Sequence, residues 1–209
     1  MGLFGRGGNV EQDDDERADG WDAITAALDG LYPDVKPRHV GYTPGVHFGS
    51  GLQGCSAYEA AGHWHYVTYG LTELWDKESD DPQISGYGFE FTMRVVRAAG
   101  DPEPPTWPFN VLEQVAKFVR SQGAVLGDGH RMDTRNSITG DPACGLTVLA
   151  FTLDPQLPPL ATPNGRVEFL QLVGVTAGEL ARMKETSTAE VLAELASGNP
   201  LLVTDPARG

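Results

Sequence analysis

Two stretches of the chain alternate apolar and polar residues with the period of two that marks a strand. The first covers residues 64–69 and runs into Gly70. The second covers residues 88–97, where Phe89, Phe91, Met93 and Val95 fall on one side and Glu90, Thr92 and Arg94 on the other. That split predicts one face in the core and one face wet. Residues 146–153 and 167–175 are nearly continuous apolar runs and are expected as buried strands. The loop between them, residues 154–165, carries four prolines.

Other stretches carry the helical period. Trp21, Ile24 and Leu28 share a face and predict a helix over residues 21–28, with Asp19 as its cap and Tyr32-Pro33 as its stop. A proline cluster from Pro102 to Pro108 breaks the chain and feeds a helix over residues 109–122. Val111, Val115, Phe118 and Val119 form its expected apolar stripe, and Gly123 suits its end. Thr176 with Glu179, and Ser187 with Glu190, have the spacing of capping boxes, each opening a helix. Gly198-Asn199-Pro200 ends the second, and residues 201–204 read as a last short strand. Residues 37–61 suggest loops and short strands. Strands and helices mix without regular βαβ alternation, so the fold class is α+β.

Composition sharpens this outline. A chain of 209 residues fits one domain. Residues 1–19 have almost nothing to bury and are expected to form a disordered acidic, glycine-rich tail, leaving residues 20–209 as the folded domain. Fifteen Lys and Arg against 29 Asp and Glu give a net charge of −14. The first twenty residues hold only six acids and two bases, so the folded part is itself acidic. Such a surface repels a phosphate backbone, which argues against nucleic-acid binding and toward basic or neutral protein partners. Acidity also favours solubility alone. Cys55 and Cys144 are too few for a disulfide framework or zinc cluster and fit reduced thiols in a cytoplasmic protein. Residues 1–9 lack the apolar core of a signal peptide, and no run approaches the roughly 18 apolar residues of a membrane helix.

No catalytic constellation stands out. Residues 49–54 match G-x-G-x-x-G, but Cys55-Ser56-Ala57-Tyr58 follows where a dinucleotide site needs a helix, so a turned loop is the better reading. Ser50 lacks the spacing of a nucleophile elbow. His63 and His65 are two apart and face one side of a strand. With Glu73 or Glu90 they would make a metal site, and a small metal-dependent hydrolase is the alternative function. Surface or hydrogen-bonded histidines flanking a core Trp64 are the plainer reading. No catalytic residue, metal or cofactor is assigned.

Several segments in order carry a family resemblance. Trp64-His65-Tyr66-Val67-Thr68-Tyr69-Gly70-Leu71 resembles the W-H-Y-x-x-x-G-L signature of the Suppressor of fused family. Ser85-Gly86-Tyr87-Gly88-Phe89-Glu90, Pro104-Pro105-Thr106-Trp107-Pro108, Asp154-Pro155-Gln156-Leu157-Pro158, the strand from Phe169 to Val175, and Leu202-Val203-Thr204-Asp205 follow in the family's order. The resemblance implies an N-terminal-domain-like fold, a mixed and largely antiparallel sheet flanked by helices. It implies a non-enzymatic protein-binding role. In animals the family represses Hedgehog signalling by holding a transcription factor, whose peptide adds as a strand between two domains. Single-domain versions resemble bacterial members, some thought to be immunity proteins against toxins.

The expected partner-binding surface gathers Trp75, Asp76, Asp81, Ser85, Gly86 and Tyr87. Trp75 falls where the family has a peptide-facing tyrosine, and Asp81 near its peptide-facing aspartate. Trp75 also sits in an acidic, loop-like stretch with no period to direct it inward, and exposed aromatics anchor interfaces.

Overall fold

Long β-branched and aromatic runs dominate the middle of the chain, and in the computed structural model they become one mixed sheet. The structure describes residues 18–42, 52–98 and 100–208. The expected tail and residues 49–51 of the glycine motif lie outside the described residues, except Ala18 and Asp19. In chain order the elements are α1 (Asp19–Leu31), β1 (Arg38–Gly41), β2 (Gly54–Ala60), β3 (His63–Tyr69), β4 (Ile84–Val96), α2 (Trp107–Gln122), β5 (Arg131–Asp133), β6 (Leu146–Leu153), β7 (Leu160–Thr162), β8 (Gly165–Thr176), α3 (Ala177–Glu185) and α4 (Thr188–Gly198).

The sheet runs β1-β2-β3-β4-β8-β6-β5, with β7 also paired to β8. Among the described strands only β4 and β8 pair in parallel, with Phe91 beside Leu170 and Met93 beside Leu172. The fold is therefore a single α+β domain. Helices cover both faces. α2 lays Leu112, Val115, Ala116 and Val119 against Tyr66, Phe91 and Met93. On the other face Ile24 and Leu28 of α1 meet Tyr58, Val67, Tyr69 and Phe169. α3 and α4 pack Leu180, Met183, Val191 and Leu192 on Val148, Ala150, Val173 and Val175.

This two-sided cover corrects the expectation of a wet face on β4. Glu90, Thr92 and Arg94 are all fully buried beneath the second helical layer. Alternation by itself cannot distinguish a solvated face from one lined with buried, paired polar groups. The stripe of α2 is also shifted. Leu112 and Ala116 are buried while Phe118 is 42% exposed, because the helix docks with the face of Leu112 and Ala116 turned inward.

Both capped helices form where their boxes predict. Thr176 and Glu179 satisfy each other reciprocally, and Ser187 accepts the Glu190 N–H. Gly123 ends α2 at φ 59. α1 is longer than expected, and Asp19 is its first residue rather than its cap. Its orphan N–H groups instead go to tertiary structure: Gly20 and Trp21 both donate to the Leu74 carbonyl, at 3.0 and 3.2 Å. The expected last strand reduces to one parallel bridge, Val95 with Thr204. Thr204 wedges between β4 and β8, its backbone bonded to Arg94 and Val96 and its hydroxyl accepting the Gly174 N–H at 3.0 Å.

Candidate functional site

Where β3 leaves β4, a buried carboxylate takes over from the ladder. The pairing ends at Val67 and Thr92. Beyond it Glu90 accepts the N–H groups of Gly70 and Thr72, each at 2.9 Å, and the hydroxyls of Thr68 and Thr72 at 2.6 and 2.7 Å. Burial pushes the Glu90 carboxyl pKa up, and these four donors pull it back. This anchorage fixes the start of the segment over residues 70–75.

That segment walls a cleft of about 420 Å³. Gln53, Gly86, Tyr87 and Arg120 complete it, with Trp75, Asp76 and Glu78 on its rim. Arg120 of α2 donates to the Gly70 carbonyl, and its guanidinium lies 6.0 Å from the centre of the Tyr87 ring. The Tyr87 N–H donates to the Leu71 carbonyl at 3.0 Å. Gly86 sits at φ 53, where an added Cβ would lie 2.6 Å from the Leu71 oxygen. Only glycine fits that approach.

Trp75 is 42% exposed, yet its surroundings fix it. Its indole N–H donates to Gln53 Oε1 at 2.9 Å. The amide of Asn164 donates to the carbonyls of Glu73 and Trp75, both at 2.9 Å. The Glu73 N–H donates to Ser85 Oγ at 2.9 Å. The Glu73 carboxylate in turn accepts Lys77 Nζ at 2.8 Å and the N–H groups of Glu78 and Ser79. Burial opposes its ionisation, but the Lys77 ammonium and those N–H groups outweigh it and bring its pKa down to about 2.

The expected site residues separate on inspection. Trp75, Asp76, Gly86 and Tyr87 share the cleft. Asp81 lies on the same exposed loop, outside the cleft lining, and accepts the Gln83 N–H. Ser85 is fully buried and holds the loop from beneath. Gln53, Glu73, Arg120 and Asn164 are needed to shape the site and carry no local signal in the sequence. Asn164 is 91 residues from Glu73, so only the fold brings them together.

The histidines belong to a different, closed centre. His63 and His65 share one face of β3, as expected, but that face is buried. His65 Nδ1 pairs with the Tyr32 hydroxyl at 2.8 Å. Its Nε2 lies 3.2 Å from Asp154 Oδ2, a bent contact rather than an aligned hydrogen bond. Arg94 meets Asp154 in a fork, at 2.7 and 3.0 Å, and also donates to Gln156 and Gln171. Burial holds the His65 pKa down at about 4 against the pull of Asp154. Burial also opposes ionisation of Asp154, but His65 and Arg94 keep its carboxyl well below the usual range. His65, Glu73 and Glu90, which with His63 were to hold a hydrolase metal, are therefore committed elsewhere. Among the described residues no group of three or more His, Cys, Asp or Glu side chains is placed to hold a metal. Also among them, no helix is long and apolar enough to cross a membrane.

Fold and cleft together define the class, an α+β domain presenting an aromatic, acid-rimmed surface site. The chain belongs to the Suppressor of fused protein family, whose profile matches residues 49–209. The human and mouse Suppressor of fused homologues are each 32% identical to it, over 91% of this chain and 43% of their own length. The chain thus spans less than half of those relatives. A chain in the Sufu–Fu complex crystal structure matches with a TM-score of 0.84 and 30% identity, covering 92% of this chain and 91% of that one. Drosophila Suppressor of Fused matches at 0.85 and 29%, over 92% of this chain and 51% of its own. A Suppressor of fused homologue from Neisseria gonorrhoeae shares the fold alone, with a TM-score of 0.62 and 15% identity, covering 91% of this chain and 96% of that one.

Proposed function

We propose that this chain is a non-enzymatic protein-binding domain whose partner engages the cleft rimmed by Trp75, Asp76 and Tyr87, with Asp81 on the adjoining loop. The observation that carries the reading is a large aromatic left 42% exposed while its indole N–H and its backbone are both tied down. A side chain ordered before binding loses little entropy on binding, which is what an interface anchor needs. Gly86 keeps the opposite wall thin, and Ser85 supports the loop rather than meeting the partner. A family relative crystallised as the Sufu–Fu complex supports the protein-binding class. The net charge of −14 favours a basic or neutral protein or peptide. Immunity against a toxin and regulation of a host protein are the two roles this class offers, and the captured partner distinguishes them.

The test is affinity capture from the native host with wild-type and Trp75→Ala proteins. The wild type should recover a defined partner, and the variant should bind it roughly 30-fold more weakly, as for an anchor worth about 2 kcal/mol. Recovery of no partner would sink the class. An unchanged affinity in the variant would move the site away from the cleft.

A further inference from the structure

Among the described residues the sheet ends at β5, and that edge is self-complementary. Thr134 donates to the Thr147 carbonyl at 3.0 Å and Phe151 to the His130 carbonyl at 2.9 Å, with Met132 opposite Leu149 between them. Positions 130, 132 and 134 therefore share their bonds with β6. By the alternation of an antiparallel ladder, the N–H and C=O groups of Arg131 and Asp133 point away from β6, toward the open edge. Both residues are exposed. Beside this edge lies a groove of about 400 Å³ between α2 and β5. Trp107, Val111, Phe118, Met132 and Ile138 line it with neutral polar neighbours, and no lining residue is charged. An uncharged centre flanked by charges is the composition of an interface core and rim.

We propose that two copies of this chain pair through β5, antiparallel across a two-fold axis at Met132. The choice of a second copy rests on charge. In that register Arg131 faces Asp133 of the other copy, and Asp133 faces its Arg131, so both cross-strand pairs are of opposite sign. These are also the positions whose backbone groups face outward, so the same register makes four main-chain hydrogen bonds. Met132 meets its own counterpart at a non-hydrogen-bonded pair, where side chains approach most closely. One Arg131 N–H reaches Thr188 Oγ1 at 3.1 Å, which leaves the rest of a five-donor guanidinium to face the pair. The two grooves then flank the axis and bring each copy's exposed Phe118 toward the junction. The surface is separate from the Trp75 cleft, so the proposal stands or falls independently of the partner-binding reading.

Sedimentation velocity over a range of concentrations tests it, with melting temperature as a folding control for each variant. The wild type should pass from monomer to dimer as concentration rises. Asp133→Arg places like charges opposite each other twice and should weaken the dimer at least about tenfold. Adding Arg131→Asp in the same chain restores opposite signs and should restore the dimer. Independently, Met132→Cys should form an interchain disulfide on mild oxidation, because Cα atoms of a non-hydrogen-bonded pair are about 4.5 Å apart, within disulfide range. The natural Cys55 and Cys144 are buried. A chain that stays monomeric to about millimolar concentration overturns the proposal. So does a monomer whose β5 edge takes up a strand from another protein instead. A dimer indifferent to Asp133→Arg, or one whose Met132→Cys variant does not cross-link, uses another surface and overturns it as well.

Discussion

At the Arg94–Asp154 centre both charged side chains are fully buried, and hydrogen bonds reach them from β4, β8 and the loop after β6. At the Trp75 cleft the carboxylates of Asp76 and Glu78 are exposed, and a large aromatic stays half in water. The first region looks like chemistry when read as a list of residues: two histidines, an arginine and an aspartate. Its burial makes it a rivet. It joins β3, β4 and β8, and through Tyr32 and Gln171 it reaches α1 and the carbonyls of Leu201 and Leu202. The second region looks like an ordinary acidic loop. There the same kind of hydrogen bonding is spent on holding an aromatic outward. Residue type does not separate the two roles; access to solvent does.

The largest expected effect breaks the rivet. Asp154→Ala strands Arg94 without its buried counter-charge and should lower the unfolding free energy by about 3–5 kcal/mol. Urea unfolding measures it. Partner affinity per folded molecule should stay the same, and a matching loss of affinity would show that the two regions are coupled. Gly86→Ala comes next. The substituted residue must adopt a positive φ and move the Leu71 carbonyl, which is expected to cost about 1–3 kcal/mol of stability. Because Leu71 lines the cleft, this variant should also weaken partner binding, unlike Asp154→Ala. Trp75→Ala gives the inverse pattern. It should lose affinity while changing stability by less than about 1 kcal/mol, since the side chain lies outside the buried core and is 42% exposed. A loss of several kcal/mol of stability would reassign Trp75 to the core.

Acid titration separates the regions more finely. The Glu73 pKa of about 2 lies below its ordinary 4.5. A lowered pKa means stability that is full above pH 4.5 and disappears as pH falls toward 2. Glu73→Gln should therefore remove part of the acid sensitivity within that window. Unfolding midpoints measured from pH 6 down to 2 should converge for the two proteins at the acid end. Parallel curves would mean that the Lys77 contact does not persist in solution. Chelation is the smallest effect expected. With His65 engaged by Tyr32 and Asp154, a strong chelator should leave the melting temperature unchanged.

Much of the secondary structure was legible because it rests on short-range rules. The boxes at Thr176 and Ser187, the stop at Gly123 and the aromatic period of β4 all act within a few residues. Trp75 was legible as a residue without a period to bury it. What the residues around it do was not. Ser85 was expected at the partner-binding surface and proves to be a buried support, and Asn164 was expected only as part of the proline-rich loop over residues 154–165 and proves to pin the Trp75 carbonyl. The α2 stripe was misplaced because Phe118 and Leu112 are both apolar and lie on different faces of the same helix. Only the angle at which the helix docks chooses between them.

By itself, the sequence determined the main strands and the capped helices, the acidity of the chain and the family to which it belongs, since each depends on local pattern or on ordered motifs. The tertiary structure decided which polar face of β4 is dry. A second helical layer covers Glu90, Thr92 and Arg94, and the partners that make their burial tolerable come from as far away as Asp154 and Gln171. A buried charge is stable only when its counter-charge and hydrogen bonds arrive in three dimensions, and no local period records that arrival.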